Sequence, residues 1–136
     1  MPFLKGEIMN YYLDVMRDNY ANFHGRASRK TFWMFFLIYV VLAFFSGFLD
    51  NIFGTVIYID TGFGSEVSMG YGWIYIIFGL VHLIPYLAVS VRRLHDVGKS
   101  GWFMLINLIP LIGAILFIIA LAKTGDPNEN QYGEII

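Results

Sequence analysis

Residues 91–102 read VRRLHDVGKSGW and separate two long apolar runs, residues 73–91 and residues 102–122. Neither apolar run contains an acidic residue, a lysine or an arginine. An α-helix rises about 1.5 Å per residue, so about 20 apolar residues cross the roughly 30 Å of hydrocarbon in a bilayer. The sequence therefore predicts two membrane-spanning helices joined by a short segment, residues 91–102, which we call the polar segment.

The composition favours lipid as the solvent for most of the chain. Of the 136 residues, 57% are hydrophobic and 14% are charged, whereas soluble domains have roughly 45–50% apolar and about 25% charged residues. A soluble domain of this length has too little interior to bury so much apolar surface. The chain has no cysteine, which excludes disulfides and thiolate metal sites.

A third uncharged run, residues 31–49, completes the predicted fold class: an all-α integral membrane bundle of three transmembrane helices in one domain. Residues 8–23 place apolar side chains three and four positions apart, with charged side chains between them. This pattern predicts an interfacial amphipathic helix before the first span. Residues 50–72 are predicted as an external loop, because their glycines outweigh a β-prone stretch. Residues 123–136 form a polar tail.

The distribution of basic residues predicts the orientation. The segment before the first span holds five basic residues, the loop 50–72 holds none, the polar segment holds three and the tail holds one. The positive-inside rule places the N-terminus and the polar segment in the cytoplasm. With three spans, the C-terminus is then external. The alternative is that Pro110 and Gly113 break the third span into a re-entrant pair of half-helices, which returns the tail to the cytoplasm.

Four motifs together resemble a known family. They are FHGRASRKTFW at residues 23–33, VRRLHDVGKSGW at residues 91–102, IPLIG at residues 109–113 and NQYG at residues 130–133. In this order they are similar to the domain of unknown function 805 family of small bacterial inner-membrane proteins, over nearly the whole chain. The resemblance implies a multi-pass protein of the bacterial inner membrane and supplies no catalytic residues.

The candidate site is one charged layer at the cytoplasmic interface, built from the first basic cluster and the polar segment. Basic side chains at this depth bind anionic headgroups, and arginine makes forked contacts with phosphate. The alternative is that the charges set the topology and hold the helices together without a ligand. The residues of the predicted layer are Arg26, Arg29, Arg92, Arg93, His95, Asp96 and Lys99.

Two polar residues within the predicted spans, His82 and Asn107, are further candidates. Ionisable residues inside a membrane are functional candidates by default, and the alternative for His82 is a hydrogen bond within its own helix. The chain shows no spacing typical of a metal site, a cofactor site or a catalytic group. The basic residues are also too few and too close to lipid to favour nucleic acid.

Two hypotheses for the function remain from the sequence. The first is a non-enzymatic helical bundle that binds membrane lipids, a membrane-protein partner or further copies of itself through its basic layer. The second is a subunit of a small transporter or channel, with a path lined by His82 and Asn107, because helix breaks at mid-depth are typical of such paths.

Overall fold

The computed structural model describes residues 2–134, with side chains from residue 6 onward, and is mostly helical. Helix α1 (Pro2–Leu13) continues into a π-helical turn (Asp14–Asp18), where the interfacial helix was predicted over residues 8–23. Helix α2 (Arg29–Phe53) begins after Ser28, whose Oγ accepts a hydrogen bond from the backbone N–H of Thr31 at 3.0 Å. A serine in this position satisfies one of the free N–H groups of the first turn.

Two described helices, α2 and α3 (Trp73–Asp96), are long and apolar enough to cross a membrane. In their most apolar 18-residue windows, only 17% and 28% of the residues are buried. A core helix of a soluble protein would be mostly buried, so lipid-facing surfaces fit these two helices better. They contain the first two predicted spans, residues 31–49 and 73–91.

Three transmembrane helices are not confirmed. Residues of the third predicted span form a 3-10 helix (Gly101–Leu108) and helix α4 (Ile112–Ala122), with a turn between them. Pro110 lies in that turn, and Leu111 has a φ of 61°, which ends any continuous helix. With 11 residues, α4 is about 16 Å long, roughly half the hydrocarbon thickness.

The loop 50–72 is not irregular, and the expectation of an all-α chain therefore holds only in part. Strands β1 (Val56–Asp60) and β2 (Glu66–Gly72) pair antiparallel. Between them, the backbone N–H of Thr61 donates to the carbonyl of Ser65 at 3.0 Å. Gly62 and Gly64 have φ values of 76° and 77°, so these glycines form the turn of a hairpin.

The chain divides into two compact units, each with its own packing. Residues 37–83 form one unit, and the described residues before 37 and after 83 form the other, which we call the polar unit. Its core combines side chains of the π-helical turn, α2, α3 and α4, which each bury an apolar face against the others. The buried core residues include Val15, Phe32, Phe35, Val89, Leu94, Phe117 and Leu121.

Candidate functional site

Asp96 lies at the end of α3 and joins two arginines, Arg26 and Arg93, in what we call the arginine–aspartate cluster. The Nε of Arg26 donates to Oδ1 of Asp96 at 2.8 Å, and Nη1 of Arg93 donates to Oδ2. The side chains are 1%, 0% and 7% exposed for Arg26, Arg93 and Asp96. One carboxylate therefore balances one of two buried positive charges, so other acceptors must complete the cluster.

Backbone carbonyls from α4 and the tail supply those acceptors. Nε of Arg93 donates to the carbonyl of Leu121 at 2.9 Å, and Nη2 donates to that of Lys123. These carbonyls end α4, where the helix dipole carries partial negative charge. Nη2 of Arg26 donates to the carbonyl of Asp126 at 2.7 Å, and Nη1 donates to that of Asn128 at 2.9 Å.

The tail contacts the polar segment at further positions around His95. The ring of His95 stacks on Tyr132, with centroids 3.9 Å apart and planes 3° apart, and its Nδ1 lies 2.9 Å from the carbonyl of Gly25. The amide of Asn130 donates to the carbonyl of His95 at 2.9 Å. The backbone N–H of Asp126 donates to the carbonyl of Asp96 at 2.7 Å. The tail therefore packs on the polar segment.

Gly125 makes this close approach possible. A Cβ built on Gly125 would overlap the carboxylate of Asp96, so a larger residue would push the tail away from α3. The expectation that a third span separates the tail from the polar segment is not confirmed, because the two segments share direct hydrogen bonds. The NQYG motif at residues 130–133 supplies Asn130 and Tyr132 to this contact.

The predicted charged layer is thus divided. Arg26, Arg93, His95 and Asp96 meet in one place, whereas Arg29 is exposed, with its Nη1 3.5 Å from the carbonyl of Ala122. Lys99 lies over the ring of Phe103, with Nζ 4.4 Å from the centroid.

Arg92 is buried apart from the arginine–aspartate cluster. Its Nε and Nη2 have no hydrogen-bond acceptor within the described part of the chain. Its backbone carbonyl accepts a hydrogen bond from the N–H of Ala27 at 2.9 Å, which joins the segment before α2 to α3.

The two polar residues predicted inside spans make local contacts. Nδ1 of His82 lies 2.8 Å from the carbonyl of Phe78, one turn earlier, and its ring stacks on that of Phe78. The amide of Asn107 donates to the carbonyl of Met104 at 2.9 Å. Each side chain therefore satisfies polar groups of its own helix or turn.

Asp50, near the end of α2, is a buried residue whose role sequence reasoning missed. Its carboxylate accepts hydrogen bonds from Thr55 Oγ1 at 2.5 Å and from the backbone N–H groups of Gly72, Ile74 and Tyr75 at 2.9, 2.9 and 3.0 Å. Asp50 therefore joins the ends of the hairpin and satisfies N–H groups of the first turn of α3. The available signal was a lone acidic residue directly after a long apolar run. Among the described residues, no group of three or more His, Asp or Glu side chains has the arrangement of a metal site.

Comparison with known proteins supports the resemblance found in the sequence. Residues 20–134 match the family described as "Protein of unknown function (DUF805)". The chain is 38% identical over 125 residues to the inner membrane protein YhaH of Escherichia coli strain K12, covering 92% of this chain and 94% of YhaH. It is 31% identical over 125 residues to the inner membrane protein YhaI of the same strain, covering 92% of this chain and 93% of YhaI. No solved structure matches the chain significantly.

Proposed function

The chain belongs to the DUF805 family of bacterial inner-membrane proteins, and we propose that it is a non-enzymatic membrane protein that binds anionic phospholipid headgroups at the cytoplasmic face. The observation that carries the proposal is the division of its basic residues. Arg26 and Arg93 are buried and bonded to the protein itself, whereas Arg29, Lys30 and Lys123 are exposed.

The proposed topology has two spans, α2 and α3, followed by a re-entrant segment formed by the 3-10 helix and α4. The N-terminal segment, the polar segment and the tail then share the cytoplasmic side, and the hairpin is external. Three observations support this arrangement: the basic residues before α2 and in the polar segment, the break at Pro110, and the hydrogen bonds from the tail to Asp96 and His95. The proposal replaces the external C-terminus expected from three spans.

A reporter at the C-terminus tests the topology. We expect a C-terminal green fluorescent protein to be fluorescent and a C-terminal alkaline phosphatase to be inactive, since the first folds in the cytoplasm and the second requires an oxidising exterior. An active phosphatase together with a dark fluorescent protein would place the tail outside and contradict the re-entrant segment. A phosphatase inserted in the hairpin after Gly62 serves as the control and is expected to be active.

The proposed binding residues are the exposed ones, because the two arginines of the arginine–aspartate cluster are buried and already bonded to the protein. Arg26 and Arg93 use their N–H groups on Asp96 and on backbone carbonyls. A basic residue at an anionic membrane surface contributes about 1 kcal/mol of binding free energy. Arg29 contacts the carbonyl of Ala122 and Lys123 follows at the C-terminal end of α4, and we propose that one phosphate contacts both side chains.

Native mass spectrometry of the purified protein in mild detergent tests the lipid proposal. We expect more phosphatidylglycerol than phosphatidylcholine to remain bound, and the preference to fall about fivefold for each of Arg29→Gln and Lys123→Gln. The matched control is Arg17→Gln, because the charge of Arg17 is already paired with Asp18 at 2.8 Å. Equal retention of the two lipids by the unmodified protein would refute the proposal.

The transporter or channel hypothesis is not proposed. His82 contacts a carbonyl one turn earlier in its own helix, and Asn107 bonds within its own turn. These local contacts explain why both polar side chains are tolerated without a path for a solute.

A further inference from the structure

A cavity of about 410 Å³ lies within the polar unit. Its volume is within the usual range for a site that holds a small molecule. The lining comes from α2, α3, the 3-10 helix and α4, and it contains no charged side chain. Residues of this lining include Phe32, Trp33, Tyr86, Met104, Ala114 and Phe117.

Such a lining disfavours a polar occupant. Its polar side chains are Tyr86 and Asn107, and the amide of Asn107 already donates to the carbonyl of Met104. A polar group moved against the remaining, apolar side chains would lose hydrogen bonds to water without replacing them. In a bilayer, the apolar groups available to fill such a space are acyl chains. Each buried methylene of a chain adds a favourable contribution to binding.

Two exposed basic residues, Arg29 and Lys123, are close along the chain to residues that line the cavity. Trp33 and Phe32 line the cavity four and three residues after Arg29, so they share its side of α2. Nη1 of Arg29 lies 3.5 Å from the carbonyl of Ala122, and Leu121, the preceding residue, lines the cavity. Lys123 follows directly. An exposed arginine and an exposed lysine therefore stand where α2 begins and α4 ends.

We propose that this cavity holds one acyl chain of an anionic phospholipid whose phosphate is bound by Arg29 and Lys123. The proposal rests on the proposed headgroup binding and extends it from a charged surface to a defined site. The charge of the two side chains selects an anionic headgroup, and the lining selects an apolar chain. The re-entrant break at Pro110 then has a role, because the 3-10 helix before it and α4 after it both contribute side chains to the cavity lining.

Fluorescence of Trp33 tests the site, because bromine atoms on an acyl chain quench tryptophan only at short range. The full chain with Trp73→Phe and Trp102→Phe keeps Trp33 as its single tryptophan. In detergent micelles containing a small fraction of brominated phosphatidylglycerol, we expect saturable quenching that unbrominated phosphatidylglycerol reverses. Brominated phosphatidylcholine should require a concentration about fivefold higher for each basic residue that contacts the phosphate.

Ala114→Phe is expected to abolish the specific quenching, because the ring fills the cavity. Ile115→Phe is the matched control, since it places the same ring one residue along α4, where the side chain is 57% exposed and does not line the cavity. A variant with Trp73 as its single tryptophan should be quenched equally by the two brominated lipids. The competition by unbrominated lipid needs no cavity variant, so it tests the site even if Ala114→Phe fails to fold.

Two outcomes separate this inference from the headgroup proposal. If Arg29→Gln lowers phosphatidylglycerol retention but Trp33 shows no reversible quenching, the headgroup proposal stands and the acyl-chain site is wrong. If phosphatidylglycerol and phosphatidylcholine are retained equally and quench Trp33 equally, both proposals are wrong. Quenching that persists unchanged in Ala114→Phe would also overturn the acyl-chain site.

Discussion

Asp96→Asn is the most direct test of the arginine–aspartate cluster. The substitution keeps the shape of the side chain but removes the one carboxylate between two arginines that are 1% and 0% exposed. Removing one partner of a buried ion pair costs about 3–5 kcal/mol of stability. The backbone carbonyls of α4 and the tail still accept hydrogen bonds from Arg26 and Arg93. We therefore expect the lower end of that range, about 3 kcal/mol.

Thermal unfolding in detergent measures this change. At roughly 4 °C per kcal/mol for a chain of this size, the melting temperature should fall by about 12 °C. Asp18→Asn is the matched control, because it removes an exposed carboxylate that pairs with Arg17, and it should leave the melting temperature nearly unchanged. A melting temperature for Asp96→Asn within about 2 °C of the unmodified protein would refute a structural role for the cluster. Arg93→Gln should lower the melting temperature as well, because Arg93 bonds to the carboxylate of Asp96 and to the carbonyl of Leu121.

Two further substitutions test the other close contacts. Gly125→Ala should lower the free energy of unfolding by about 1–3 kcal/mol, since the added Cβ would overlap the carboxylate of Asp96. Thermal unfolding measures this loss, and proteolysis of the tail should become faster. If neither measurement changes, the tail does not pack against Asp96. Asp50→Asn should lower the free energy of unfolding by about 2–3 kcal/mol, because four donors converge on a buried carboxylate. Proteolysis within the hairpin should rise in that variant, and Glu66→Gln, at an exposed acidic residue of β2, should leave both measurements unchanged.

Some residues of the arginine–aspartate cluster could be predicted from the sequence. The polar segment and the basic cluster before α2 both supply residues to it, and Arg26 and Asp96, which the sequence analysis places in one layer, are 2.8 Å apart. Arg92 was expected in the same layer, but it is buried apart from the cluster, and Arg29 and Lys99 lie outside it. The sequence alone could not show which of these basic residues are buried and which are exposed. Neighbouring residues on a helix point in different directions, and which direction faces the protein interior depends on what packs against the helix.

The sequence by itself determined the solvent of this protein and its two long helices. The length of an apolar run and the positions of the basic residues around it are properties of the sequence alone. Runs such as 31–49 and 73–91 therefore indicate membrane spans without knowledge of any contact. Only the tertiary structure decided the path of the remaining chain. Asp96 bonds to Arg26 across 70 positions, and Arg26 bonds to the carbonyl of Asn128 across 102. Every residue has a backbone carbonyl, so the sequence cannot show which carbonyls accept hydrogen bonds from a buried guanidinium. The choice of acceptor depends on where α4 ends and where the tail turns back.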